Sequence, residues 1–246
     1  MKSSFVLDEG VTQFMVKKNK VGPIEKQYSQ YFINKAELGN ELLGSMATAR
    51  WQSDPKLLGV SLSRYKFVSK MLKGCSSVLE IGAADSWYSR VVLEEVKKLT
   101  LSDFDDIWLE DFSSQEIYKK KGTRYLIHNF AIKDLNEKFN GIYALDVLEH
   151  INPKEEENFL LNICNSLLPN GVAIFGMPSL ESQIYASEGS KIGHVNCQSG
   201  DVLKNNLKKY FHNVFIFSMS DEVVHTGFTP MAHYLLALCV TPLKDV

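Results

Sequence analysis

Residues 77–89 read SVLEIGAADSWYS: a short apolar run, Val78, Leu79 and Ile81, stops at Gly82 and gives way to small and polar residues before Trp87 and Tyr88. A run of that length bounded by glycine predicts a buried strand, a tight turn and the start of a crossover helix. The pattern then repeats. Strands are predicted at 76–82, 97–103 (KKLTLSD), 124–130, 141–147 and 171–177, with helices at about 86–95, 110–120, 153–168 and 200–210 between them. In the helix predicted at 153–168, Asn152 is expected to cap, Pro153 to take the first turn, and Phe159, Leu160, Ile163 and Leu167 to face the core. The runs at 213–219 and 233–240 have no helical pattern between them and predict an antiparallel pair at one edge of the sheet. The fold class is therefore α/β, a doubly wound sheet.

Upstream of Gly74 the character is helical. Asp54-Pro55 opens a stretch in which Leu57, Leu58, Leu62, Tyr65, Val68 and Leu72 recur at helical spacing. Residues 24–46 predict a further helix or two, with Tyr28, Tyr31 and Phe32 forming an aromatic stripe of the kind that usually packs into a core. The first twenty residues carry mixed signals and suggest a mobile arm. This divides the chain into an arm with helices over 1–73, expected to cap a substrate site, and a catalytic domain over 74–246.

Composition narrows the field. The 246 residues are 45% apolar and carry 27 basic against 29 acidic side chains, net −2, so no global field draws the protein to nucleic acid or an anionic membrane. The lysine runs at 17–20 and 119–121 read as solvated faces. The opening MKSSFVLDEG lacks the apolar stretch of a signal peptide, and the longest apolar runs are strand-sized, so the expected address is the cytosol. Four cysteines, at 75, 164, 197 and 239, form no C-x-x-C pair and read as reduced thiols.

In doubly wound sheets the ligand binds outside the carboxyl ends of the strands. Acids recur at that edge here: Glu80 and Asp85 at the first strand, Asp103 ending the second, Asp146 ending the fourth. Asp103 stands 23 residues after Glu80, near the roughly 20 at which nucleotide-binding units place the acid that grips ribose hydroxyls. A dinucleotide would need glycine where Ala84 stands, and its pyrophosphate would be repelled by three carboxylates. S-adenosylmethionine has no phosphate and carries a sulfonium and an ammonium, so an acidic rim suits it.

The motifs SVLEIGAADSWYS at 77–89, YALDVLEHI at 143–151 and SLLPNGVAIFGMPS at 166–179 together resemble the class I S-adenosylmethionine-dependent methyltransferases. The resemblance covers about residues 74–241 and implies a seven-stranded Rossmann-like sheet ordered 3-2-1-4-5-7-6 with the last strand antiparallel. It implies that Glu80, Gly82, Ala83 and Ala84, with the loop to Ser86, lie beside the methionine portion of the cofactor. By the same carry-over Asp103 binds the ribose, Phe104, Asn129 and Phe130 frame the adenine, and Asp146 and Val147 line the pocket near the methyl donor. Ala84 and Ser86 depart from the family's glycine-rich loop.

Methyl transfer to a hydroxyl asks for a base or a metal near the acceptor. Asp146, Glu149 and His150 stand at i, i+3 and i+4, a spacing that one helical turn would gather on one face, and His194 follows the fifth predicted strand. The set resembles the D/E-x-x-E-H plus distant histidine with which quinone and small-RNA 2'-O-methyltransferases hold a divalent cation. Three alternatives stay open from the residues: catalysis by His150, His194 and Glu149, a divalent cation held by the group, or Glu149 bracing the turn. His225 and His233 read as strand-end polarity, and Trp87 or Tyr88 could approach the cofactor. Arg64 and Tyr65 are candidate acceptor contacts, in a helix (RYKFV, 64–68) similar to that of enzymes of surface-polysaccharide biosynthesis. The resemblance thus implies methyl transfer to a small-molecule hydroxyl, a sugar or capsule-type metabolite, by a soluble enzyme that could be a homodimer. The competing readings are an RNA or protein methyltransferase, disfavoured by the lack of a basic face, and a non-catalytic S-adenosylmethionine-binding scaffold.

Overall fold

The computed structural model describes residues 23–243. The chain forms two compact units that part between Leu42 and Leu43. Of the first unit, a 3-10 turn at Lys26–Tyr28 leads into α1 (Ser29–Leu38), and Gly39, at φ +77, ends it. Within this unit Tyr28, Tyr31 and Phe32 are not buried, so the stripe expected to be core is not core there; Tyr28 and Tyr31 contact each other at a centroid distance of 6.3 Å. The arm expected at 1–20 and the lysine run at 17–20 lie outside the described residues.

The second unit begins with α2 (Ser45–Ser53) and α3 (Lys56–Met71), both of which belong with the sheet. Pro55, not Asp54, directly precedes α3, and the Asp54 carboxylate accepts from the Lys56 amide at 3.1 Å. The strands follow as β1 (Val78–Ile81), β2 (Leu99–Asp103), β3 (Arg124–Ile127), β4 (Phe139–Leu145), β5 (Leu167–Pro178), β6 (Phe211–Ser220), β7 (Val223–His225) and β8 (Tyr234–Pro242). Between them lie α4 (Arg90–Leu93), α5 (Leu109–Ser114), α6 (Glu116–Lys121), α7 (Glu156–Asn165), α8 (Glu188–Gly193) and α9 (Gly200–Leu207).

These strands form one eight-stranded sheet ordered β3-β2-β1-β4-β5-β8-β6-β7. β1 to β5 pair in parallel, and β8 runs antiparallel between β5 and β6. This is the expected order with one addition: the short β7 pairs with the outer edge of β6, making eight strands where seven were expected.

Period-two alternation sends each strand's side chains to two separate cores. Leu79, Ile81, Ile142, Ala144 and Phe175 pack with Phe159, Leu160 and Ile163 of α7 and Leu203 and Leu207 of α9. Val78, Tyr143, Leu145 and Ile174 pack with Val68 of α3, Leu72, Val92 of α4 and Tyr118 of α6. No helix among the described residues is long and apolar enough to cross a membrane.

Several expected helices are shorter, for local reasons. The helix expected at 86–95 is a 3-10 turn (Trp87–Ser89) plus α4, because Ser86 sits at φ +58 and cannot begin a regular helix. The one expected at 110–120 breaks at Gln115, whose backbone is extended. Asn152 does not cap a helix starting at Pro153. Its carboxamide oxygen accepts from Lys154 N at 3.0 Å in a separate turn, and α7 begins at Glu156.

Candidate active site

At the carboxyl ends of β1, β2 and β4 lies a cavity of about 440 Å³. Its wall includes Gly82, Ala84, Asp103, Phe104, Asn129, Phe130, Asp146, Val147 and His150. A smaller hollow of about 100 Å³ shares Gly82, Ala84 and Asp146 and is closed by Ala83, Asp85, Tyr88, Arg50, Ser61 and Arg64. The sequence-derived cofactor residues therefore fall around these two spaces, with one exception. Glu80 lines neither.

The loop 82–86 separates the two spaces. Gly82 is at φ +75, and a Cβ there would fall 2.3 Å from Val147 Cγ2, so the approach of the β1 and β4 loops depends on glycine. Ala84 and Ser86 hold φ values of +44 and +58, the left-handed conformation glycine would adopt with less strain. Neighbours hold them there. Ala84 N donates to Asp103 Oδ2 at 3.1 Å, and the Tyr125 hydroxyl donates to Ala84 O at 2.9 Å. Gln115 Nε2 donates to Asp85 O at 2.8 Å, and Tyr118 donates to Ser86 O. Asp85 accepts from Ala47 N at 2.9 Å and Trp87 N at 3.2 Å. The substitutions that depart from a glycine-rich loop are thus offset by hydrogen bonds from four other elements.

Gln115 is a functional residue the sequence reading missed. It is buried, and its break in the α5–α6 run lets its amide reach the loop. Gln115→Ala is expected to cost about 1 kcal/mol, because it removes one of the two donors to the Asp85 carbonyl, the Ser86 hydroxyl at 2.7 Å remaining; urea denaturation followed by circular dichroism measures this.

Asp103 is nearly buried, and its carboxylate also accepts from Asp105 N at 3.1 Å. Each oxygen keeps a lone pair for a ligand hydroxyl. Phe130 is buried with its ring edge-to-face on His128 at 4.6 Å, while Phe104 is exposed at the rim. Tyr88, not Trp87, faces the smaller hollow; its ring stacks on Tyr65 at 5.4 Å.

Asp146 departs from the helical turn expected to gather it with Glu149 and His150. It sits at φ +55, and the 3-10 turn begins only at Leu148. Its carboxylate accepts from Arg64 Nη1 at 2.7 and 3.0 Å, and Arg50 Nη2 lies 4.0 Å away. The Arg64 guanidinium lies 3.7 Å from the Tyr234 ring centroid, a cation–π contact, and its Nε has no partner. Arg50 donates to Ser61 Oγ and lies 5.8 Å from the Tyr88 ring. Arg50 escaped sequence reasoning, since nothing local marks a residue whose partner is distant in the chain.

Glu149, His150 and His194 do converge, with one donor atom from each within 4.8 Å of the others. The Glu149 carbonyl accepts from Val195 N at 2.8 Å and Asn196 N at 3.0 Å, which ties the loop carrying His194 to the end of β4. Glu149 is buried, its Oε2 has no partner, and burial followed by Asp146 pushes its carboxyl well above the usual range. His150 Nδ1 lies 2.9 Å from Gly193 O, and His194 Nδ1 lies 2.8 Å from Gln183 Oε1. Both partners are acceptors, so each Nδ1 carries a proton. A Cβ at Gly193 would press on the His150 ring at 3.2 Å. Burial, then His150, lowers the His194 pKa from 6.5.

Glu80 is directed elsewhere by strand parity. It shares the face of Val78, toward α3, and its carboxylate accepts from the Tyr65 hydroxyl at 2.8 Å and the Tyr143 hydroxyl at 2.5 Å. Burial raises its pKa to about 7, against the pull of the hydroxyl hydrogen bonds from Tyr143 and Tyr65. Tyr65 lines the smaller hollow with its hydroxyl committed to Glu80. His225 Nδ1 accepts from Gly227 N at 3.0 Å, and His233 Nδ1 lies 3.4 Å from Asp221 N, in keeping with strand-end roles.

No protein-family model matches the chain, and no curated protein does. Solved structures do. The N-methyltransferase NodS from Bradyrhizobium japonicum WM9, in complex with S-adenosyl-L-homocysteine, is similar at TM-score 0.56 and 18% identity, over 87% of this chain and 98% of that one. The DhpI-SAM-HEP complex is similar at TM-score 0.58 and 13% identity, over 87% and 95%. The methyltransferase domain of bacterial CtHen1-C is similar at TM-score 0.61 and 13% identity, over 75% and 100%. Sheet order and these likenesses agree: the chain has the Rossmann-like fold of the class I S-adenosylmethionine-dependent methyltransferases.

Proposed function

We propose that the protein is an enzyme that transfers the methyl group of S-adenosylmethionine to a hydroxyl of a small-molecule acceptor. The observation that carries the reading is the 440 Å³ cavity at the parallel strand ends, walled by Gly82, Asp103, Phe130 and Asp146, within the size range of small-ligand sites. In this reading Asp103 accepts from ribose hydroxyls, and Asn129 and Phe130 frame the base. Arg50 and Arg64 face the smaller hollow beside Asp146, a charge pattern complementary to a zwitterionic amino acid: carboxylate toward the guanidinium groups, ammonium toward Asp146. The cofactor supplies an electrophilic methyl; the chain aligns the acceptor and removes its proton. His194, with Nε2 free and the ring held by Gln183, is the proposed general base, and His150 beside it, ring centroids 5.1 Å apart, is its partner. Glu149 fixes the loop that presents them.

The reading is tested by calorimetric titration with S-adenosylhomocysteine. Micromolar binding is expected; its absence would leave the scaffold alternative, and competition by NADH would point to a dinucleotide enzyme.

A second reading is favoured by the orphaned, buried Glu149 Oε2 together with the convergence of one donor atom each from Glu149, His150 and His194 within 4.8 Å. Carboxylate plus two imidazole nitrogens suit several divalent cations, so Glu149, His150 and His194 fit such an ion, which would act as a Lewis acid on the acceptor oxygen. The two readings part on chelation. With the base mechanism, EDTA leaves labelled-methyl transfer into an acceptor pool within about twofold; a metal role predicts loss of at least about tenfold, restored by added cation.

A further inference from the structure

The carboxylates around loop 82–86 are not neutralised alike. Asp146 has Arg64 and Arg50. Asp103 and Asp85 are held by backbone amides. Glu80, two residues before Gly82, is buried with hydroxyl donors on both oxygens, and among the described residues no cation touches it. The groups facing it are Tyr65 from α3, Tyr143 from β4, Ser89 before α4, Tyr118 from α6, Tyr125 from β3 and Asp85 from the loop itself. The guanidinium that reaches Tyr118, Arg90, is bound to Glu94. Tyrosine hydroxyls stabilise a carboxylate but supply no opposite charge, so ionised Glu80 keeps an uncompensated field beneath the loop that lines both hollows.

Resting on the reading of the site as a seat for S-adenosylmethionine, we propose that Glu80 discriminates donor from product by charge. The donor carries a sulfonium. When the methyl leaves, the carbon–sulfur bond breaks with its electron pair remaining on sulfur, and the product is a neutral thioether of otherwise the same shape. Ionised Glu80 favours the first over the second, and a protonated Glu80 does not, so turnover of the cofactor itself weakens its hold on the site. The raised pKa of Glu80, about 7, places the change near neutrality.

The experiment measures dissociation constants of S-adenosylmethionine and S-adenosylhomocysteine by calorimetry at pH 5.5 and pH 8, for wild type and Glu80→Gln. The sign follows from linkage: the donor binds the ionised form better, so its preference over product rises as pH passes the Glu80 pKa. If the donor lowers that pKa by about one unit, the ratio of product to donor dissociation constants rises about tenfold across the range in wild type and stays flat in the glutamine variant. Tyr65→Phe, which removes one donor to the carboxylate, shifts the midpoint to higher pH and guards against a glutamine variant that fails to fold. A wild-type ratio that does not change with pH, or a slope that survives Glu80→Gln, overturns the proposal while leaving the cofactor reading intact. Binding of neither ligand overturns both.

Discussion

His194→Ala is expected to lower methyl transfer by about 100- to 10,000-fold, the span general-base catalysis commonly contributes, while S-adenosylhomocysteine affinity is expected to stay within about threefold. The separation of the two effects follows from placement. His194 lines neither of the spaces assigned to the cofactor; its ring is held from the far side by Gln183 and meets His150 edge-on. His150 does line the larger cavity, so His150→Ala lowers both transfer and affinity. Labelled donor incubated with an acceptor pool measures the rate, and calorimetry measures the affinity. Exogenous imidazole is expected to restore part of the His194→Ala rate. Wild-type rates in both alanine variants would remove these histidines from the mechanism.

Arg64→Met is the variant with the largest expected effect on the cofactor site. It strips Asp146 of its hydrogen-bonded cation and leaves that carboxylate near Glu149, whose own ionisation Asp146 already opposes. Breaking a fully buried pair costs about 3–5 kcal/mol; Asp146 is a third exposed, so about 2 kcal/mol is expected here. Affinity for S-adenosylhomocysteine falls further, about 10- to 100-fold, because a charge-assisted bond to the ligand carboxylate disappears with the guanidinium. Arg64→Lys keeps the charge but loses the planar stack on Tyr234, and falls between. Urea denaturation of the free protein and calorimetric titration measure the two quantities separately. Unchanged affinity in Arg64→Met would place the amino-acid end of the cofactor elsewhere.

How far the site could be read from the sequence depends on the range of the forces involved. The parallel strands are legible because burial on both faces writes short apolar runs, and Gly82 because no other residue fits beside Val147. Spacing and a following loop put Glu149, His150 and His194 together, and they do converge. A helical repeat extended back to Asp146 would add it to them; its left-handed backbone turns the carboxylate toward Arg64 instead. Position at a strand end points Glu80 toward the cofactor, and the structure sets its carboxylate behind the cavity walls, on Tyr65 and Tyr143, a placement that becomes readable only once α3 is known to cover that face. Arg50, Gln115, Tyr118 and Tyr125 act on the loop or on Asp146 across tens of residues, and no local pattern encodes such partnerships.

The placement of β8 bears on how the protein is made. Among the described residues it is the last strand in chain order, yet it lies between β5 and β6. As the nascent chain leaves the ribosome, β5 and β6 each present an unpaired edge until residues 234–242 emerge and fill the gap. Tyr234, the first residue of that strand, is also the ring on which Arg64 rests. Synthesis of this polypeptide therefore passes through a stage in which every residue lining the two cavities has been made while the sheet that carries them is still open between β5 and β6.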